Sequence, residues 1–557
     1  MARATVSQVR GWDPTATAAA SDALVAANRA FGAAMRQGSR HIDAALADWR
    51  GDAAAAAALR ALDSQLMSNH LGATIVAIAD AFADAVNLEE VCAAVRGIER
   101  DAAAKGCVIA EDGTVAAPEA DTGNPALDVT LQAGFDTEAA TLQARLIPLL
   151  DTAGDIDRTA GAQLVAATAA LAALQTNPQG APLDSRVRAI LDGTAFLPAD
   201  PRAMYELWES LTPADHDALF AYDPSIGNRD GIAGVAKDHY NRLYLEQLRT
   251  RASAELVGSG GPHDWSDTTD PPSTLAEWRR FNDVAAAERK VRTRLADYDE
   301  VADQLTRRGA TRLLLGIDDQ GRGVVALGNP DSARNIATFV PGASATLAGI
   351  GQGVDRATAL LGAATRSDAS ARTAVITWYG YHAPPDLVAA RRDDYADAAA
   401  PDLDRFQDGL RATHAGPPSH NTVVGHSYGS TVIGVAAGDG RSLAVDDVIF
   451  VGSPGVEADR VTDLRLDNVP AADNHRRIFA TAAAADPIPL FGQLAHGISP
   501  VERAFGATVF ESSSGAVLQR PPLPIVGYEP WAHGTYWDLD NPGLTTQGEI
   551  IAGRHPG

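Results

Sequence analysis

The 557-residue sequence predicts an α/β fold, in which a mostly parallel sheet covered by helices on both faces follows an all-α amino-terminal region. Amphipathic patterns of helical period dominate the chain as far as residue 305. From residue 306 onward, short apolar runs of strand length alternate with helical stretches, as is typical of parallel sheets. One of these runs leads through residues 425–429 directly into an apolar helical stretch.

Composition and charge exclude several classes of partner. The formal net charge is −25 and the sequence pI is about 4.8, so nucleic-acid phosphates and anionic membrane surfaces would be repelled. No stretch approaches the roughly 18 uninterrupted apolar residues of a membrane-spanning helix, and residues 1–14 lack the apolar core of a signal peptide. These observations predict a cytoplasmic protein, unless export uses a signal that is not a cleavable peptide.

The two cysteines, Cys92 and Cys107, are too few for a disulfide framework. Their spacing is not that of a metal site either. Free thiols are therefore favoured over a single bridge between them.

Residues 1–120 are predicted to form an antiparallel helical hairpin. Larger apolar residues form one helical stripe between residues 14 and 49, and a second stripe restarts after Gly51 and runs to about residue 98. Trp49, Arg50 and Gly51 at the bend resemble the WXG motif of the small helical-hairpin proteins exported by type VII secretion systems. The resemblance implies export and a helical partner. The Tyr-x-x-x-Asp/Glu signal of that family has its match only far downstream, at residues 205–209.

The middle region, residues 121–305, is predicted to be helical. A short β-hairpin that turns at Asp112 and Gly113 precedes it. Two alanine-rich helices are expected at residues 127–150 and 157–174. A linker rich in Gly, Ser, Pro and Asp then separates the remaining helices from one more charged helix that ends near residue 305.

Within the middle region, residues 227–231 read Gly-Asn-Arg-Asp-Gly, and His239 follows. This succession resembles the segment before the catalytic domain in a family of actinobacterial alpha/beta hydrolases, many of which also carry a WXG-like hairpin. Ala233 stands where that family usually has proline. The residues themselves predict a tight Gly/Asn turn against the next domain. Asp230 and His239 are either ligands or, as we favour, hydrogen-bonded structural groups.

The catalytic domain is predicted at residues 306–557. Two short apolar runs form an antiparallel hairpin, and five further strands alternate with helices; the seven strands are expected at residues 313–317, 324–327, 336–340, 374–378, 422–424, 448–451 and 478–481. This is the order of an alpha/beta-hydrolase sheet. Because connections between parallel strands are right-handed, the loops after the strands gather at one edge of the sheet, where we expect the chemistry.

The motif GHSYG at residues 425–429 predicts a nucleophilic serine. A strand precedes it and a helix follows it, as a nucleophile elbow requires. Gly425 and Gly429 leave room for the sharp reversal, and Ser427 is the predicted nucleophile. The alternative is a Gly/Ser loop that caps a helix.

A serine nucleophile needs a base and a group that orients the base. In this fold the chain order is Ser, then Asp or Glu, then His. Asp486, on a loop after the last strand, and His533, on a late loop, fit that order after Ser427. The competitors for these roles are two acids and four histidines: Asp447, Asp459, His426, His475, His496 and His555, the last in a tail that looks frayed.

Acyl transfer also needs N–H donors for the developing oxyanion. The predicted donors are the backbone N–H groups of Tyr428 and of Ala343, which lies in the loop after the strand at residues 336–340, while the Ser344 hydroxyl is a weaker candidate. Residues 379–385 are expected at the rim of the site. The apolar insert at residues 487–531, which includes a proline-rich run at 521–524, is expected either to form a lid or acyl pocket or to pack on the helical domains.

Together these residues predict a serine hydrolase that cleaves a small acyl ester or thioester through an acyl-enzyme, with no metal or cofactor. An acceptor other than water would make the same chemistry an acyl transfer. The alternative is a secretion-linked binding or effector protein, in which the hairpin acts and the hydrolase fold is a scaffold. The full set of Ser427, Asp486 and His533 in order favours the enzyme.

Overall fold

The computed structural model describes most of the chain, namely residues 3–46, 71–72, 74–76, 78–79, 81–82, 87–176, 183–258, 275–307, 309–513 and 530–555. The chain divides into two compact units, residues 1–181 and 182–557. The three-part division predicted from the sequence, with boundaries after residues 120 and 305, stays a prediction. Among the described residues, no helix is long and apolar enough to cross a membrane.

The first unit is mainly helical, as predicted. Its elements are α1 (Val6–Gly11), α2 (Pro14–Leu46), α3 (Asn87–Ala104), β1 (Val108–Ile109), β2 (Val115–Ala116) and α4 (Pro125–Thr176). Apolar side chains of α1, α3 and α4 share one core, which includes Val9, Val95 and Leu146. The predicted bend at residues 49–51 lies outside the described residues, so the WXG resemblance stays a prediction.

The two short strands of this unit form the predicted hairpin. They pair antiparallel, and the turn holds Gly113 at φ 87°, a left-handed conformation that glycine adopts without steric cost. A Cβ atom at this position would lie 2.8 Å from Leu150 Cδ1. Cys92 and Cys107 are both buried and free, so the favoured prediction of free thiols is confirmed.

The prediction of two separate helices at residues 127–150 and 157–174 was wrong, because α4 continues through both. Pro148 lies inside this helix, and the Thr152 hydroxyl donates a hydrogen bond to the Pro148 carbonyl at 2.8 Å. Leu146, Leu150 and Ala153 are completely buried on one face across the supposed break. Gly154, which lies between the two predicted helices, costs the helix only about 1 kcal/mol. The burial of these apolar side chains outweighs that cost, so the helix continues.

In its described part, the second unit contains ten α-helices and an eight-stranded sheet. The helices are α5 (Ser185–Leu191), α6 (Pro201–Glu209), α7 (Pro213–Tyr222), α8 (Gly234–Gly258), α9 (Leu275–Thr306), α10 (Ile350–Ser367), α11 (Asp394–Thr413), α12 (Tyr428–Ala437), α13 (Ile488–His496) and α14 (Pro542–Ile551).

The sheet has the strand order β10-β9-β8-β7-β5-β6-β4-β3. Its strands are β3 (Arg312–Ile317), β4 (Gly323–Leu327), β5 (Asn335–Val340), β6 (Thr373–Tyr379), β7 (His420–His426), β8 (Asp447–Val451), β9 (Ile478–Thr481) and β10 (Thr508–Val509). The predicted hairpin of β3 and β4 is antiparallel, β4 also pairs antiparallel with β6, and the remaining pairs are parallel. The predicted mostly parallel sheet is confirmed. The two-residue strand β10 was not predicted, because its pattern is too short to stand out from the insert around it.

Helices cover both faces of this sheet. Alternate residues of a strand point to opposite faces. Ile336 and Val340 of β5 belong to the core that α11 and α12 share, whereas the Phe339 ring meets Trp537 edge to face at a centroid distance of 5.4 Å. On that second face, α10 and α14 pack against each other. Both faces of the central strands are therefore dry, which explains their continuous apolar runs.

The segment at residues 227–231 and α8 protect the outer edge of β3. The Asn228 carboxamide donates to the Ile317 carbonyl at 2.7 Å and accepts from the Ile317 N–H at 2.9 Å. From α8, Asp238 accepts from the Leu314 N–H at 2.6 Å, and Asn241 donates to the Leu314 carbonyl at 3.2 Å. An unpaired strand edge is a template for aggregation, and these side chains satisfy its polar groups. The prediction that this segment abuts the catalytic domain is confirmed.

Candidate active site

Ser427 stands between β7 and α12 in a strained backbone conformation, with φ 54° and ψ −128°. The two neighbouring glycines explain how the chain turns so sharply. A Cβ atom on Gly429 would lie 2.2 Å from the Val340 carbonyl oxygen, and one on Gly425 would lie 2.6 Å from Ile433 Cδ1. Neither position has space for a side chain. A non-glycine residue held at positive φ costs of the order of 1–3 kcal/mol, and such strain is typical of functional sites.

Asp486 and His533 form a hydrogen-bonded pair. His533 Nδ1 lies 2.7 Å from Asp486 Oδ2, and the carboxylate is completely buried. The same oxygen accepts a hydrogen bond from the Tyr536 hydroxyl at 2.5 Å, while Oδ1 accepts from the Ile488 N–H at 2.9 Å. Burial and the Asp486 charge raise the pKa of Tyr536, so its hydroxyl stays protonated and donates. The carboxylate is therefore fixed from both of its oxygens.

His426, which precedes the serine, connects the elbow to the loop of His533. Its Nε2 lies 2.9 Å from the His533 carbonyl oxygen, and the two imidazole rings are 4.5 Å apart at their centroids. Burial lowers the pKa of His426 well below its usual range, with smaller contributions from His533 and Arg356. The neutral ring donates from Nε2 to that carbonyl and accepts at Nδ1 from Arg356, 3.4 Å away. The histidine loop is thus bonded to the residue next to Ser427.

The loop after β5 approaches the serine closely. A Cβ atom on Gly342 would lie 2.6 Å from Ser427 Cβ, so only glycine permits this contact. Ala343, the predicted oxyanion donor, follows it, and the other predicted donor, Tyr428, is the first residue of α12. The first N–H groups of a helix have no acceptor within the helix. The Ser344 hydroxyl instead donates to the Pro385 carbonyl at 2.9 Å, which anchors the loop.

The competing residues have other surroundings. Asp447 and His555 belong to a cluster with His420 at the opposite ends of the strands, where the three ligand atoms lie within 4.8 Å of one another. The tail at His555 was expected to fray, but His555 Nε2 lies 2.8 Å from Asp447 Oδ2. His496 is buried between Glu457 and the Ala390 carbonyl. The remaining two competitors, Asp459 and His475, are exposed and lie on surface segments.

 

Two of the predicted rim residues anchor loops around the site. The Tyr381 hydroxyl donates to the Pro341 carbonyl at 2.7 Å, and the Tyr379 hydroxyl donates to the Gly349 carbonyl at 3.2 Å. Both tyrosines therefore hold the loop that follows β5 and the start of α10. The predicted rim acts here as a support for the loop that contains Ala343.

The described part of the insert at residues 487–531 includes one apolar side chain buried in the sheet core and a group of exposed ones. Phe505 is buried and meets Phe450 of the sheet core edge to face. In contrast, Leu490 and Phe491 of α13 are about half exposed, and Leu494 is 89% exposed. The exposed group follows directly after Asp486 in the chain. The proline-rich run at residues 521–524 lies outside the described residues.

Sequence reasoning assigned no role to Tyr536, Gly452 or Gly342. Gly452 has φ 57°, and a Cβ atom there would lie 2.9 Å from Asp486 Oδ2, so the carboxylate occupies the space that a side chain would need. Tyr536 is only three residues from His533, and this spacing in an aromatic segment was the one available signal for its role. The two glycines act through contacts with residues distant in sequence, which no local pattern reveals.

Comparison with known proteins agrees with this architecture. Residues 318–496 match the family model of the alpha/beta hydrolases. The chain is 27% identical to an uncharacterized protein of Mycobacterium tuberculosis over 382 residues, which cover 63% of this chain and 55% of the relative. It is 36% identical to an uncharacterized protein of Mycobacterium bovis over 154 residues, which cover 28% of this chain and 53% of the relative. No solved structure matches the chain.

The chain thus spans about half the length of these relatives. The family match confirms the predicted alpha/beta-hydrolase domain, with its mostly parallel sheet after a helical amino-terminal region. The relatives are uncharacterized, so the substrate has to be inferred from the site itself.

Proposed function

We propose that this protein is a serine hydrolase that cleaves an ester or thioester through an acyl-enzyme intermediate. The observation that carries the proposal is the strained elbow of Ser427, whose preceding residue is hydrogen-bonded to the loop of the Asp486–His533 pair. A strained serine whose elbow is bonded to the loop of a histidine with an orienting carboxylate fits the arrangement that activates a hydroxyl for acyl transfer. Fold alone would not support this conclusion.

Each residue has a defined role in the proposed reaction. Because Asp486 accepts from His533 Nδ1, the neutral imidazole presents Nε2 as its basic nitrogen. This nitrogen takes the Ser427 proton as the hydroxyl oxygen attacks the acyl carbon, and it then gives the proton to the departing alcohol or thiol. Water attacks the acyl-enzyme by the reverse sequence of proton transfers. Asp486 stabilises the imidazolium that forms in both steps.

The oxyanion that develops on the acyl group needs fixed donors. We assign this role to the backbone N–H groups of Tyr428 and Ala343. The close approach of Gly342 to Ser427 brings the second donor's loop to the nucleophile. The Tyr428 side chain is held elsewhere, since its hydroxyl accepts from the Ala396 N–H of α11 at 3.2 Å.

The substrate is inferred to carry an apolar acyl group. Leu490, Phe491 and Leu494 present apolar surface on the helix that begins two residues after Asp486. Burying such surface against an acyl chain contributes about 0.8 kcal/mol per CH₂ group. The preferred acyl length therefore reports whether this helix takes part in binding.

Labelling with a fluorophosphonate probe and hydrolysis of p-nitrophenyl esters of increasing acyl length test the proposal. We expect the probe on Ser427, ester hydrolysis by the native protein, and the loss of both in Ser427→Ala. Ser442→Ala, which removes an exposed hydroxyl bonded to Asp467, is the matched control and keeps both. Absence of labelling and hydrolysis in native protein and variants alike would favour a binding protein that uses this fold as a scaffold.

A further inference from the structure

Three polar side chains converge at the edge of the sheet that lies opposite Ser427. His420 begins β7, Asp447 begins β8, and His555 follows α14. The Nε2 atoms of both histidines face a single carboxylate oxygen: Asp447 Oδ2 lies 2.9 Å from His420 and 2.8 Å from His555. The Asp447 side chain is completely buried. Three elements distant in sequence thus aim two imidazoles and one carboxylate at one point.

We propose that His420, Asp447 and His555 bind one divalent transition-metal ion, Zn²⁺ by preference. Imidazole nitrogen and carboxylate oxygen are ligands that zinc accepts at about 2.0–2.2 Å, commonly in tetrahedral geometry with water in a remaining position. Ligands around such an ion lie about 3.3 Å apart. The present distances of 2.8 and 2.9 Å therefore need to widen by only about half an ångström to admit the ion.

An outer carboxylate supports the ligand role of His420. Its second ring nitrogen, Nδ1, lies 3.9 Å from Asp446 Oδ2. Asp446 is itself held at 2.7 Å by Arg411 and at 2.7 Å by the Asn421 N–H. Metal-bound histidines usually donate their other N–H to a carboxylate or carbonyl, which fixes the ring. With the proton on Nδ1 facing Asp446, His420 Nε2 is released from its 3.2 Å contact with the Ile550 carbonyl and can bind the ion.

Arg477 is the charged neighbour that a cation would meet. Its guanidinium lies 3.4 Å from Asp447 Oδ1 and 3.5 Å from His555 Nε2. The Arg477 side chain is 39% exposed, so it is free to turn toward solvent. It contacts the other carboxylate oxygen, and Oδ2 stays available to the ion. The charge of the ion would be balanced by Asp447 together with Asp446.

The proposed ion has a structural role. Strand β7 has seven residues and rises about 3.3 Å per residue, so roughly 20 Å separate His420 from Ser427 at its other end. The ion would attach the segment after α14 to the first residues of two central strands. Binding of the ion can therefore be measured without reference to ester hydrolysis. Failure of the metal proposal would leave the proposed hydrolase intact, and the reverse also holds.

Metal binding to the full-length protein tests the inference directly. After chelator treatment and dialysis, we expect one Zn²⁺ per chain by isothermal titration calorimetry and a higher Tm in the presence of the ion. Co²⁺ in place of Zn²⁺ should give the visible absorption of a tetrahedral site. We expect His555→Ala to weaken Zn²⁺ binding by more than about 100-fold, and Asp446→Asn, at the outer carboxylate, to weaken it by about tenfold.

His475→Ala is the matched control, because it removes an exposed histidine whose Nδ1 faces the nearby Ala472 carbonyl. It should leave binding and the cobalt spectrum unchanged. His555 follows the last described helix, so its removal is expected to preserve the fold, and His555→Gln offers a second variant of similar size. Zn²⁺ binding that is absent in native protein, or equally strong in the His555 variants, would overturn the proposal.

Discussion

The two ends of strand β7 carry the same kinds of side chain in different arrangements. At the carboxyl end, His533 uses Nδ1 to contact Asp486, and in the proposed reaction Nε2 is the nitrogen for proton transfer. At the amino end, His420 and His555 both turn Nε2 toward Asp447. A histidine held through Nδ1 keeps Nε2 for proton exchange with a substrate. Two histidines that both direct Nε2 at one carboxylate oxygen instead use that nitrogen in the contact with the carboxylate. The nitrogen that faces the carboxylate thus distinguishes the arrangement proposed for catalysis from the one proposed for metal binding.

The largest effect is expected at the carboxyl end. Ser427→Ala should lower kcat for ester hydrolysis by about 10⁶-fold, because no other group replaces the nucleophile. The free energy of unfolding should not fall, since the variant removes one hydroxyl from a strained position. Ester kinetics and urea unfolding measure the two quantities. Activity within tenfold of the native value would show that the nucleophile lies elsewhere.

Asp486→Asn should lower kcat by about 10⁴-fold. The uncharged amide accepts the hydrogen bond from His533 Nδ1–H more weakly than the carboxylate does, and its NH₂ group can instead donate to Nδ1, which favours the wrong imidazole tautomer. Asp447→Asn is the matched control at the other end of the sheet, where the same chemical change should leave kcat of the folded protein unaltered. Equal loss of activity in the two variants would contradict the division of roles between the two ends.

The same Asp447→Asn variant should lose stability instead. The carboxylate is completely buried among His420, His555 and Arg477, and removing one member of a buried charged cluster costs about 3 kcal/mol. Urea unfolding of the metal-free protein measures this change. A free energy of unfolding equal to that of the native protein would mean that the cluster does not stabilise the fold.

The sequence predicts the arrangement at the carboxyl end of β7 but not the cluster at its amino end. The elbow at Ser427 depends on neighbouring residues, a strand, two glycines and a helix, and a local pattern reveals all of them. The order of Asp486 and His533 follows from the fold once the strands are recognised. The cluster at Asp447 depends on three residues from three separated elements, and no spacing in the chain brings them together. His555 was consequently interpreted as part of a frayed tail.

The fold shows the same contrast. The hairpin of β3 and β4 and the buried parallel strands were predicted because apolar runs and turn residues are local signals. The continuity of α4 was not predicted, since it depends on burial of Leu146 and Leu150 against neighbouring helices rather than on helix propensity. The protection of the β3 edge by Asn228 and Asn241 also depends on tertiary contacts.

A smaller effect is expected from Tyr536→Phe, at the end of β7 for which we propose catalysis. The Tyr536 hydroxyl donates to Asp486 Oδ2, the oxygen that also faces His533. Losing a hydrogen bond to a charged group costs about 1.5–3 kcal/mol. Part of this loss should appear as a roughly tenfold lower kcat and the rest as lower stability. An unchanged pH profile with unchanged kcat would show that Tyr536 supports the loop alone.

A third histidine, His496, provides the smallest and most selective test, because both of its ring nitrogens face acceptors. Nδ1 lies 2.6 Å from Glu457 Oε1, and Nε2 lies 2.6 Å from the Ala390 carbonyl oxygen. Only the doubly protonated ring donates to both. Burial disfavours that charge, but the hydrogen bonds to Glu457 and Ala390 outweigh burial and raise the pKa of His496.

A raised pKa in the folded state gives the pH dependence a definite sign. The stabilisation from His496 is complete below the unfolded-state pKa of about 6.5 and is lost as the pH rises through the higher folded-state pKa. The difference in free energy of unfolding between native protein and His496→Gln should therefore shrink from about pH 6 to about pH 9. His475→Gln, at an exposed position, is the control. A difference that stays constant or grows with pH would mean that His496 is neutral in the fold, and the rule that the contacted nitrogens set the role of each histidine would fail for this residue.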